Sequence, residues 1–134
     1  MNSNDAKIFL NKKQNKDWFA QNYTDYKPDE NQVKRWAKHS DKKILIFAGT
    51  WCGDTRFLLP KFFKCLDMLT EKPVLEIIWV NQEKKSKTKL EQTYHLERVP
   101  TFIILKNGKE ISRVVEEVKV SIEKDIADAL EVAN

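Results

Sequence analysis

The stretch GTWCGDTRFLLP, residues 49–60, joins the end of one apolar run to the start of another with a different period. Before it, KKILIFAG (42–49) is continuously apolar behind two lysines. Its β-branched and aromatic content predicts a strand buried on both faces. After it, Phe57, Leu58, Phe62, Cys65, Leu66 and Leu69 recur at helical spacing, and Pro60 is expected to kink that helix. The junction between strand and helix therefore falls at Cys52. A thiol at a helix N-terminus faces unpaired backbone N–H groups and the positive end of the dipole, and both favour the nucleophilic thiolate. Gly53 leaves room for a partner to approach, and Trp51 offers an apolar platform beside the sulfur. Asp54 acts the other way, because one negative charge disfavours a second nearby. On spacing alone, a structural cysteine at a strand end is the alternative.

Working outward, PVLEIIWVNQ (73–82) reads as a second buried strand, and SKTKLEQTYHLE (86–97) as a helix with Leu90, Tyr94 and Leu96 inward. TFIILKNGKEISRVVE (101–116) reads as a hairpin turning at Asn107-Gly108. VSIEKDIADALEVA (120–133) is an amphipathic helix with Ser121 as its cap and Ile122, Ile126, Ala129 and Leu130 inward. Upstream, residues 1–40 are polar with sparse aromatics. Trp18, Phe19, Asn22 and Tyr23 suggest a short helix. A second follows YKPDE, with Pro28 at its start, Asp29 and Glu30 in its first turn, and Val33, Trp36 and Ala37 on one face. The expected order is helices, then β-α-β-α-β-β-α. The first two strands should be parallel and the last two antiparallel, in a mixed sheet with helices on both faces. The expected division is an N-terminal helical extension, 1–40, packed on a domain spanning 41–134.

Composition narrows the function. The net charge of +4 is scattered. The densest basic run, Lys84 to Lys89, has no interleaved aromatics and reads as a solvated loop, so no nucleic-acid partner is expected. No run approaches the ~20 apolar residues that cross a bilayer. At the start, only Ile8-Phe9-Leu10 is hydrophobic, too short for a secretory signal. The expectation is a cytoplasmic monomer with no membrane partner. Two cysteines do not make a disulfide framework. No Cys-x-x-Cys or paired-His spacing points to a metal, so no metal or other cofactor is expected. His39 and His95 read as a surface residue near a helix end and a residue within the helix before ERVPTF.

Two segments together resemble a known family. WCGDT with Pro60 eight residues after the cysteine is similar to the active-site helix of thioredoxins. RVPTFIILKNGK (98–109) is similar to the segment that carries their cis-proline, which would be Pro100. The similarity runs from about Lys42 to the C-terminus. It extends to bacterial thioredoxin-like proteins that have a WCGD motif, an N-terminal helical extension and often one active-site cysteine. The resemblance implies a thioredoxin fold, an α/β class, with Cys52 packed against Pro100. It also implies that the Val99 backbone is free to pair with an extended peptide or glutathione. Thr101 and Arg98 join Val99, Trp51, Gly53 and Asp54 as substrate-binding candidates, beside Cys52, Thr55 and Pro100 as catalytic ones. Arg98 would lie near Cys52, where it could hold a carboxylate of a thiol partner. An exposed loop arginine is the plainer alternative.

Three departures limit the transfer. Thr55 stands where thioredoxins have the second cysteine of the motif. Ile46 stands where they keep a buried aspartate, and Glu116 near where they carry a glycine in the partner-facing surface. Cys65 cannot substitute for the missing thiol. It lies 13 residues along the same helix, about 20 Å away at 1.5 Å per residue, whereas a disulfide needs Cα atoms within about 7 Å. It reads as a core residue. A lone thiolate can still attack a disulfide and hold a mixed disulfide, which an external thiol such as glutathione would release. Thr55 is expected to hydrogen-bond the sulfur. The expected partners are a disulfide-containing or glutathionylated protein, or a low-molecular-weight thiol. The competing reading is a binding module that uses the cis-proline groove without turnover. A third, a cluster bridged between two chains, lacks the motif of the glutaredoxins that form one.

Overall fold

Strand β1, Lys43–Ala48, lies inside the sheet, and five of its six residues are buried. On one side it pairs in parallel with β2, Val74–Trp79, and on the other it runs antiparallel to β3, Thr101–Lys106. β4, Lys109–Val115, closes the order β2-β1-β3-β4 by an antiparallel pairing with β3. The β3–β4 hairpin turns at Asn107 and Gly108, at φ of 51° and 79°. Two positive φ values in a two-residue turn are what the right-handed twist of the flanking strands demands. This computed structural model describes residues 1–133.

Among the described residues, six α-helices flank the sheet: α1 (Ser3–Leu10), α2 (Lys13–Asp25), α3 (Glu30–Trp36), α4 (Gly53–Asp67), α5 (Leu90–Thr93) and α6 (Ile122–Leu130). They divide unequally. Ile44, Ile46, Ala48, Phe102 and Ile104 pack into one core with residues of every helix except α5. Leu45, Phe47, Ile78, Ile103 and Leu105 form the other core, covered by Leu90, Tyr94, Leu96, Trp51 and Cys52. The mixed sheet with helices on both faces is present, although the second face receives a single helical turn.

That turn corrects the expected helix over 86–97. Lys89 and His95 take positive φ, 59° and 53°, and bracket four helical residues. The buried Glu91 carboxylate accepts from the Ser86 N–H at 2.9 Å and from the Ser86 hydroxyl at 2.5 Å, which folds the chain back before the helix. Burial alone would raise the Glu91 pKa, but these hydrogen bonds outweigh it and hold the carboxyl below its ordinary value. His95 therefore follows the helix instead of lying within it.

The N-terminal region is more ordered than its sparse aromatics suggested. α1 is an additional helix, capped by Asn2, whose side chain accepts from Asp5 N–H at 2.8 Å. α2 runs for 13 residues. In α3, Asp29 is the capping residue, and Pro28 lies outside the helix instead of opening it. Buried or half-buried polar groups tie these helices to the rest. Glu123, 3% exposed in the first turn of α6, accepts from the Tyr26 hydroxyl and from Asp29 N–H. Its backbone carbonyl accepts from Trp36 Nε1 at 3.0 Å. Asp67, at the end of α4, accepts from Lys7 and from the Tyr23 hydroxyl. Burial, and then that carboxylate, push the Tyr23 hydroxyl up to about 12, so it remains a donor at neutral pH. Arg35 forks onto Glu131 and Asp128, which fastens α3 along α6.

α4 continues through Pro60. A proline has no N–H, so the carbonyl of Arg56, four residues earlier, loses its helical donor. The Asn22 side-chain amide on α2 donates to that carbonyl at 3.2 Å. Around this bond, cations of α4 sit over aromatics of the preceding segment: Arg56 over Trp18, Lys64 over Tyr23 and Lys61 over Tyr26.

Candidate functional site

β1 ends at Ala48 and α4 begins at Gly53, so four residues turn the chain and Cys52 is the N-cap of the helix. Three contacts shape the turn. Cys52 N–H donates to Gly49 O at 3.0 Å, Arg56 Nε donates to Thr50 O at 2.6 Å, and Gly49 N–H donates to the Thr55 hydroxyl at 3.3 Å. The Trp51 ring lies back over Gly49, with Nε1 donating to Val80 O at 2.9 Å at the end of β2. A Cβ at residue 49 would sit 2.5 Å from the ring, so this position requires glycine. Gly49→Ala is accordingly expected to displace Trp51 and cost about 1–3 kcal/mol. Urea unfolding followed by circular dichroism measures that loss.

The Val99–Pro100 peptide bond is cis. Val99 carries its carbonyl to the sulfur, and Cys52 Sγ donates to it at 3.5 Å. Among the described residues, the Val99 N–H has no hydrogen-bond partner. Together Cys52 and Val99 form the floor of an open groove of about 410 Å³, rimmed by Trp51, Asp54, Gln82, Lys84, Glu97, Arg98 and Glu116. Of the residues singled out in the sequence, the groove thus gathers Trp51, Cys52, Asp54, Arg98, Val99 and Glu116. Pro100 is buried behind Val99. Gly53 is exposed at the first position of α4, and nothing lies within 4 Å of where its Cβ would be. The fold therefore does not require glycine there.

Thr55 and Thr101 differ from expectation. Thr55 is fully buried, and its hydroxyl accepts from Gly49 N–H; no hydrogen bond joins it to the Cys52 sulfur among the described residues. Its work is to hold the turn. Thr101 is 1% exposed and donates to Arg98 O at 2.6 Å, so it braces the bend before β3 and does not line the groove. Cys65 is fully buried, and both cysteines are free thiols. Burial, reinforced by the Glu123 charge, pushes the Cys65 thiol far up, which leaves it protonated and unreactive. Ile46 is fully buried between Ile77 and Phe102 and brings no ionisable group to its place in β1.

Gln82, Lys84 and Glu97 line the groove without having been anticipated. Lys84 belongs to the basic run read as a solvated loop. Asn81 curls that loop, its side chain accepting from the N–H groups of Glu83 and Lys85, both at 3.0 Å, and Lys84 takes φ of 61°. An asparagine closing a strand is the local signal for such a turn. Among the described residues there is no group of three or more His, Cys, Asp or Glu side chains arranged to hold a metal. No helix among them is long and apolar enough to cross a membrane.

Comparison with known proteins adds to this geometry. The family model Thioredoxin matches residues 25–128. Thioredoxin H2-2 of Oryza sativa subsp. japonica is 30% identical over 97 residues, 69% of this chain and 69% of its own length. The chloroplastic Thioredoxin Y of the same plant is 33% identical over 96 residues, 70% of this chain and 55% of its length. Among solved structures, thioredoxin NaTrxh of Nicotiana alata superposes with a TM-score of 0.53 at 25% identity, over 75% of this chain and 83% of its own. A Pseudomonas aeruginosa protein of unknown function gives 0.70 at 16% identity over 96% and 89%. That last likeness is one of fold, and it extends to the N-terminal helices.

Proposed function

Since the chain belongs to the thioredoxin family and shares its general thiol–disulfide redox function, we propose that it works as a monothiol member, through Cys52 alone. The Cys52 thiolate attacks one sulfur of a disulfide, forms a new S–S bond to it and releases the other sulfur as a thiolate. An external thiol such as glutathione then attacks the mixed disulfide, forms its own S–S bond to the partner and returns Cys52 as a thiolate. With a glutathionylated protein as substrate, the products are the freed protein thiol and oxidised glutathione. The single observation that carries this reading is the partly buried Cys52, its sulfur on the Val99 carbonyl in an open groove, while the other cysteine is fully buried. The free Val99 N–H supports pairing with an extended peptide or glutathione, whose backbone could meet it as a short added strand.

The test is mass spectrometry of the folded protein after incubation with oxidised glutathione. The expected result is one glutathione per chain, on Cys52, with Cys65 unmodified and no adduct on Cys52→Ser. An unmodified Cys52 would sink the proposal. It would favour a second reading, that the groove binds partners without exchange. Ile46 in place of a carboxylate, and a Thr55 hydroxyl committed to Gly49, favour that second reading.

A further inference from the structure

Glu116 follows β4 with φ of 56°, in left-handed backbone that favours glycine. Its N–H donates to Pro100 O at 2.7 Å, which fixes it beside the cis bond. From there its carboxylate reaches Arg98, with Oε1 3.4 Å from Nη1. The Arg98 side chain is 65% exposed and that of Glu116 26%. Among the described residues, Glu116 is the only hydrogen-bonding partner of the Arg98 guanidinium, so most of its five donors point to solvent at the rim of the Cys52 groove. The remaining charges on that rim are Asp54, Glu97 and Lys84.

Resting on the exchange reading above, we propose that Arg98 and Glu116 form a charge-selecting pair. Arg98 is the docking point for a carboxylate on the thiol that releases the Cys52 adduct, and Glu116 competes with that carboxylate for it. A guanidinium holds a carboxylate through two parallel hydrogen bonds when its fork is free. The single long contact to Glu116 leaves that fork available, and the Glu116 charge still disfavours a second anion at the same place. Arg98 therefore offsets the rim carboxylates Asp54, Glu97 and Glu116 for an incoming anionic thiol, and Glu116 limits that offset. Removing Glu116 should shift selectivity toward anionic thiols, and removing Arg98 should shift it toward cationic ones.

The test uses an adduct that carries no charge of its own. The protein is treated with 2-hydroxyethyl disulfide, which transfers one neutral thiol to Cys52 and releases the other. The rate of adduct release is then measured at low salt with glutathione, which is anionic, with cysteamine, which is cationic, and with neutral 2-mercaptoethanol. Each thiol attacks the mixed disulfide and frees the Cys52 thiolate. Rates are divided by the 2-mercaptoethanol rate of the same variant, so changes in the sulfur itself cancel. An exposed ion pair is worth at most about 1 kcal/mol, so effects of about two- to fivefold are expected. Glu116→Gln should raise the glutathione-to-cysteamine ratio by that factor and Arg98→Gln should lower it, both effects shrinking in 0.5 M salt as screening grows. A ratio unchanged in both variants, or moved in the same direction by both, overturns the pair's role while leaving Cys52 exchange intact. Failure of the wild-type protein to take the neutral adduct on Cys52 overturns the exchange reading, and this proposal falls with it.

Discussion

Thr55→Cys is expected to accelerate reduction of a soluble protein disulfide, with dithiothreitol as the electron source, by on the order of a hundredfold over the wild type. In the wild-type protein a mixed disulfide on Cys52 waits for a second molecule. A thiol at position 55 lies one helical turn away and makes release intramolecular, and well-aligned intramolecular reactions reach effective molarities of ~10⁵ M or more. The substitution replaces a hydroxyl that accepts from Gly49 N–H with a sulfur that accepts weakly, at a cost of about 1 kcal/mol. Thr55→Ser keeps the hydroxyl and should give no acceleration. Rates at limiting dithiothreitol separate the outcomes. A folded Thr55→Cys variant no faster than wild type would mean that the groove around Cys52 does not support exchange.

Trp36→Ala should produce the larger of the stability losses, about 3–5 kcal/mol. The ring is fully buried, 5.3 Å from the Phe62 ring of α4, and donates to Glu123 O at 3.0 Å. Truncation opens a cavity where α3, α4 and α6 meet and leaves a carbonyl without that donor. Trp36→Phe should recover most of the loss and forfeit the hydrogen bond, about 1 kcal/mol. Chemical denaturation reports both, since the midpoint moves by the free-energy change divided by the slope. A Trp36→Ala protein within 1 kcal/mol of wild type would show that α3 lies outside the cooperative unit.

Where one local rule acts without a competing long-range contact, the element is legible in the sequence. The run from Lys43 to Ala48, the Asn107-Gly108 turn and the Ser121 cap each use one local rule, and each element stands where that rule puts it. Segment 86–97 was misjudged because its helical spacing competes with a buried contact, Glu91 to Ser86, that periodicity does not register. α1 was missed although Asn2 and Asp5 carry a capping signal, because its buried Ala6 and Leu10 acquire meaning only against the rest of the core. At the site, Cys52, Val99 and Arg98 line one groove. Thr55, expected to hydrogen-bond the sulfur, does not do so. The turn claimed its hydroxyl first, through Gly49. Lys84 is exposed, as its run of lysines implies, and the curl that Asn81 imposes also sets it on the rim of the groove.

The bond from Asn22 to the Arg56 carbonyl bears on how this scaffold can be re-engineered. The gap that Pro60 leaves in α4 is filled from a different helix, α2. Transplanting residues 49–60 into a host without α2 would carry the proline but not its complement, and the recipient would have to provide a donor or hydrate that carbonyl. In directed evolution of the Cys52 segment, Asn22 therefore belongs among the positions varied together with it, although 34 positions of sequence separate it from Arg56.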